Sequence, residues 1–173
     1  NASSLDNQWD FAGELVGQLV VPTFAIDAER RVILWNRACE VLTGMPAAAV
    51  LGTREHWRAF YDLERPCLAD LIADDRLAEV DQHYPIHHQS RDIAFGTHTE
   101  NWCVMPLLGT QRYLEIDAGP IRDADGRLVA VVETLRDMTV RQSAEARLRV
   151  MFDRSPDIAA VSFVGSTPIA RYI

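Results

Sequence analysis

Two stretches of strand-like patterning lie far apart in the chain, and each turns back on itself at a polar break. Residues 22–27 (PTFAID) and 31–36 (RVILWN) flank Ala28-Glu29-Arg30, which predicts a β-hairpin. Residues 111–121 alternate, with Leu114, Ile116 and Ala118 on one face and Tyr113, Glu115 and Asp117 on the other. Residues 123–127 (DADGR) form a turn in which Gly126 supplies the positive φ. Residues 128–137 then make a second strand, nearly continuously apolar through Val132.

Between and around these hairpins the pattern is helical. Asn36 is a good N-cap for residues 37–43, and Gly44 supplies a left-handed stop. Residues 46–51 predict a shorter helical turn with Pro46 in its first position, ending at Gly52. Leu68, Leu71, Ile72 and Leu77 approach helical spacing and predict one helix over 66–80, with Asp70, Asp74, Asp75 and Glu79 on a solvated back face. Residues 82–99 hold Pro85 and Gly96 without a period, and read as a loop with at most a short helix. A lead-in helix is expected over residues 6–18, with Trp9, Leu15 and Leu19 on a partly apolar stripe.

At the other end, Thr139-x-x-Gln142 is a capping box. The helix it opens places Val140, Ala144, Leu148 and Met151 on one side and Arg141, Glu145 and Arg149 away from it. So short a helix with one apolar stripe is marginal alone in water. It is expected to pack on a partner, foremost a second copy of itself.

Composition narrows the class. The 173 residues suffice for one domain with flanking helices, and 48% hydrophobic with 24% charged content is that of a globular protein. A net charge of -8 argues against nucleic acid or an anionic membrane as partner. Cys39, Cys67 and Cys103 are odd in number and widely spaced, as expected of free thiols in a reducing compartment. No membrane-length apolar run or signal-peptide pattern is present, so a cytoplasmic location is expected.

The order of these elements, and their residues, resemble a PAS domain with its C-terminal PAC motif, of the kind found in bacterial sensor histidine kinases and diguanylate cyclases. Phe24-Ala25-Ile26-Asp27, Val32 to Ala38, Leu42-Thr43-Gly44 and Val50-Leu51-Gly52 look like the family's opening signature. Residues 118–128 (AGPIRDADGRL) look like its closing hairpin, and Asp137-Met138-Thr139 resembles the D-x-T that ends the last strand. Arg30 stands where the family's first turn usually has Gly, which predicts strain or a different turn geometry. The segment 57–70 (WRAFYDLERPCLAD) is longer and more aromatic than usual.

The resemblance implies an α+β fold: a five-stranded antiparallel sheet, short helices over one face, N- and C-terminal flanking helices, and a pocket between sheet and helices. It divides the chain into a lead-in helix (1–18), the PAS/PAC sensory domain (19–138), a signalling helix (139–152) and an unassigned remainder (153–173). It also implies a sensory input that responds to a small molecule and passes its state through Asp137 and Thr139 to a dimeric helix and a C-terminal output domain. A ligand-free dimerisation or docking module is the alternative.

Candidate pocket residues are Trp57, Arg58, Phe60, Tyr61, Arg65, Trp102 and Tyr113, since small-molecule sites are mostly apolar with a few polar anchors. Arg58 or Arg65 would anchor a carboxylate. The dimer helix would use Val140, Ala144, Leu148 and Met151. None of the cysteines sits in the Asn-Cys-Arg-Phe run of the family's flavin photosensors, which argues against flavin. His83, His87, His88 and His98 read as exposed or hydrogen-bonded groups rather than haem or zinc ligands, with Pro85 interrupting any shared helical face. No catalytic residue or metal site is expected. Residues 159–173 resemble a strand–turn–helix piece of aldehyde dehydrogenases, without the catalytic segment that would give activity.

Overall fold

The computed structural model describes residues 17–154. Two compact units divide between Met138 and Thr139. The lead-in helix and the dehydrogenase-like piece lie almost wholly or wholly outside the described residues.

The first unit is built on one sheet. Its strands are β1 (Thr23–Asp27), β2 (Val32–Trp35), β3 (Ile86–Gln89), β4 (Thr97–Cys103), β5 (Arg112–Arg122) and β6 (Leu128–Asp137). Their spatial order is β2-β1-β6-β5-β4-β3, with every neighbouring pair antiparallel. The two hairpins read from the sequence meet through β1 and β6, where Phe24 lies opposite Glu133 and Ile26 opposite Val131.

The sheet has six strands rather than five, because part of the segment expected as loop is strand. The inward positions of β4 are Thr97, Thr99, Asn101 and Cys103, so no apolar period betrays it. β3 is a mostly exposed edge strand held by backbone pairing and by Thr99 Oγ1, which donates to the Ile86 carbonyl at 2.6 Å.

Between β2 and β3 run α1 (Arg37–Thr43), α2 (Ala47–Val50), a 3₁₀ turn (His56–Ala59), α3 (Leu68–Ala73), a second 3₁₀ turn (Leu77–Glu79) and α4 (Val80–His83). Asn36 caps α1 through the Cys39 amide, and Gly44, at φ 75°, closes it in the left-handed region. Pro46 precedes α2 as its N-cap residue instead of opening it.

The single helix expected over 66–80 is broken. Asp75 takes φ 55° while its amide bonds to Ile72 O and the Arg76 amide to Leu71 O, the Schellman pattern that ends a helix. An aspartate here does what glycine usually does, and apolar spacing does not reveal it. Arg30, also expected to be strained, has φ 65°.

The core lies between the sheet's inner face and these helices. Phe24, Ile26, Leu114, Ile116, Val131 and Leu135 from the sheet pack with Leu68, Leu71 and Phe60. Phe24 is ringed by Trp35, His56 and Phe60, with centroids 5.3–6.1 Å away. The opposite face is partly covered by residues 90–96. There Ser90 Oγ donates to Asp117, and Ile93 sits so close to Gly119 that a Cβ would collide with it.

The second unit, over its described residues, is α5 (Thr139–Arg154), in which Thr139, expected as the cap, is the first helical residue. Val140, Leu148 and Met151 are exposed on it. Among the described residues no helix is long and apolar enough to cross a membrane.

Candidate ligand clefts beside Trp57

The segment between α2 and α3 builds the site. In its 3₁₀ turn, His56 and Ala59 point into the core, Arg58 points out, and Trp57 stands half-buried between two clefts. The first, about 540 Å³, is lined by Trp57 with Arg30, Arg54, Arg65, Arg76 and Asp70 among others. The second, about 740 Å³ and more apolar, runs past Met45, Pro46, Arg58, Tyr61 and Leu107.

Arg65 is held by stacking. Its guanidinium lies 4.2 Å from the Tyr61 ring centroid and 5.1 Å from that of Tyr84, and Nη2 donates to the His83 carbonyl at 2.9 Å. Its Nε is buried and has no hydrogen-bond partner among the described residues. Desolvation pushes the Tyr61 and Tyr84 hydroxyls well above the usual phenol range, so both stay neutral, and one donates to the other at 3.4 Å.

Beneath the first cleft lies a buried polar cluster. His56 Nε2 meets Asp70 Oδ2 at 3.0 Å, and the same oxygen accepts the Cys67 amide at 2.9 Å to cap α3. The Asp70 carboxylate, expected on a solvated face, is therefore a correction: it turns inward because two donors receive it there. Beside it the Ala69 amide donates to Glu133 Oε2 at 2.8 Å, across 64 residues of chain.

Glu133 is 2% exposed, the one acid in the inward row of β6 between Val131 and Leu135. Burial pushes its carboxyl up to about 8, opposed by the Ala69 amide and reinforced by the Asp70 charge.

Sequence reasoning missed His56, Asp70 and Glu133 as buried polar groups. The only signal for Glu133 was an acid interrupting an apolar strand.

The seven expected pocket residues separate. Trp57 and Arg65 line the first cleft, and Trp57, Arg58 and Tyr61 the second. Phe60 lies in the core below them. Trp102 and Tyr113 pack edge to face at 5.2 Å on the sheet's other face and do not join this group. Strand parity places them there: Asn101 and Leu114, their chain neighbours, take the inward positions.

The histidines of the presumed loop are on strands or in α4. His88 and His98 stack at 4.4 Å across β3 and β4, and His98 Nδ1 meets Asp117 Oδ2 at 3.1 Å. The three thiols are buried; Cys103 is pushed up to about 12, and Cys39 and Cys67 also rise, chiefly by desolvation. None of them offers a thiolate nucleophile near neutral pH.

The antiparallel sheet with β1 between β2 and β6, covered on one face by short helices, agrees with a family model for the PAS fold that matches residues 16–143. The chain belongs to the PAS fold family.

Solved PAS structures share the architecture. The PAS domain of BvgS from Bordetella pertussis is 21% identical with a TM-score of 0.51, over 86% of this chain and 98% of that one. A PAS domain from Colwellia psychrerythraea is 15% identical with a TM-score of 0.52, over 76% of this chain and 97% of that one. An RNA-binding light-oxygen-voltage receptor is 17% identical with a TM-score of 0.57; the match covers 88% of this chain but 38% of the receptor. At these identities the likeness is one of fold. No curated protein matched.

A PAS domain is a regulatory module.

Proposed function

We propose that this PAS domain is the sensory input of a bacterial signal-transduction protein. A small molecule binds beside Trp57, and its presence is passed along β6 through Asp137 and Thr139 to a dimeric α5. A cytoplasmic histidine kinase or diguanylate cyclase output following in the same chain would read the change. The observation that carries this reading is the start of α3. Asp70 forms part of the first cleft's wall, while the adjacent Ala69 amide is bonded to Glu133 of β6. One turn of helix is thus shared between the cleft and the strand that runs to the exit helix. The mechanism requires the ligand to bind two arrangements of this turn with different affinity.

Thermal-shift and native mass-spectrometric screening against small metabolites tests it. At least one compound is expected to bind and to raise Tm by about 2–8 °C at saturation. The Trp57→Ala variant, folded by circular dichroism, should lose that shift. A complete set without binding, or binding indifferent to Trp57, would contradict it.

The exposed apolar residues of α5 favour a second reading, a dimerisation module with no ligand. In it Val140, Ala144, Leu148 and Met151 carry the association. Leu148→Asp is expected to turn a dimer into a monomer in sedimentation velocity; a variant that stays dimeric excludes this surface.

A further inference from the structure

The first cleft gathers four arginines against three acids in its lining, in a chain that is acidic overall. The protein carries -8 overall and has no lysine, so its seventeen permanent cations are all arginine. Four of them, Arg30, Arg54, Arg65 and Arg76, line this one cleft. They come from the β1–β2 turn, the approach to the 3₁₀ turn, the approach to α3 and the segment after it, so only folding brings them together.

The acids nearby do not neutralise all four. Arg76 is held by Glu79 at 2.6 Å, and Asp74 is shared between Arg76 at 3.7 Å and Arg30 at 3.3 Å. Of the acids lining the cleft, Asp70 is turned inward to His56, and Glu55 pairs at 3.6 Å with Arg58, which lines the second cleft. Glu64, on the rim, is exposed. Among the described residues, Arg54 and Arg65 have no carboxylate within ion-pair distance. Arg65 is moreover fixed by its two tyrosines, so little side-chain freedom remains to be lost when an anion arrives.

We infer that the cleft takes a small organic anion, its carboxylate or phosphate bound between Arg54 and Arg65 and its apolar body laid against Trp57. Guanidinium groups suit this chemistry because their planar donors meet two oxygens at once. The cleft's size admits a compact molecule rather than a polymer. This rests on the reading of the cleft as the input site and names the ligand class for it.

The test is calorimetric titration with benzoate, phenyl phosphate and benzamide, at low and at high salt. At least one of the two anions is expected to bind, and which one does so separates carboxylate from phosphate recognition. Benzamide, nearly the same shape without the charge, should bind at least about tenfold more weakly. High salt should weaken the anion. Arg54→Gln and Arg65→Gln should each reduce its affinity by about tenfold or more, whereas Arg58→Gln on the second cleft should not. Arg65 packs on buried rings and its variant could misfold; Arg54 is exposed and keeps the test decisive.

Benzamide binding as tightly as benzoate would overturn the anion inference while leaving a small-molecule site beside Trp57 in place. Failure of both anions would also overturn it, and the metabolite screen with Trp57→Ala then judges the input reading separately.

Discussion

Glu133→Gln will be more stable than the parent chain in alkaline solution and nearly equal to it around pH 5. The sign follows from the proton balance. In the unfolded chain a glutamate loses its proton near 4.5, whereas in the fold burial holds it until about 8. Between these values the native state binds more protons than the unfolded state, so stability falls as pH rises. The full stability belonging to this group is present below the unfolded value and is gone above the folded one. The shift corresponds to roughly 3–5 kcal/mol lost by about pH 9. Glutamine keeps an oxygen for the Ala69 amide and has no charge to develop, so it removes the slope. Urea unfolding across this range reads the effect directly, and parallel pH profiles for the two proteins would show that another group titrates.

A loss of similar size is expected from Asn36→Ala. The Asn36 Oδ1 accepts from the amides of Thr23 and Cys39, each at 3.0 Å, and Nδ2 donates to Val21 O at 2.8 Å. One side chain therefore caps α1 and fixes the entry into β1, and it does so while almost wholly buried. Removing the cap costs about 1 kcal/mol, and leaving the buried Thr23 amide without a partner adds about 1–3 kcal/mol. Asn36→Asp retains both acceptor bonds but loses the donors, so it should fall between alanine and the parent chain. Equal stability of all three in denaturant would refute the role.

What could be read from the sequence was what depends on neighbours in the chain. Asn36 and Gly44 announce α1 because capping is decided within one helical turn, and the β5–β6 hairpin shows in the alternation of Tyr113 to Ala118. The left-handed Arg30 followed from a turn that resembles one with glycine. The middle of the chain was opaque for the converse reason. β4 turns threonines, an asparagine and a cysteine inward, and its pairing to β3 and β5 supplies what apolar patterning does not.

The site divides in the same way. Trp57, Arg58, Tyr61 and Arg65 stand out as a local cluster of aromatic and cationic residues. Arg30, Arg54 and Arg76 reach the same cleft from separate segments and carry no shared motif. Trp102 and Tyr113 lie on the other sheet face from this cluster, which strand parity decides and composition does not show. The His56–Asp70 and Ala69–Glu133 contacts join positions 14 and 64 residues apart, and no periodicity encodes such distances.

The central claim is that the cleft beside Trp57 communicates with the strand leading to the exit helix. Hydrogen exchange resolved to single amides, with and without a saturating compound from the screen, tests it most directly. Slower exchange at the Ala69 amide and along Leu128–Asp137 is the expected result. Protection confined to residues 54–66, with β6 unchanged, would contradict it.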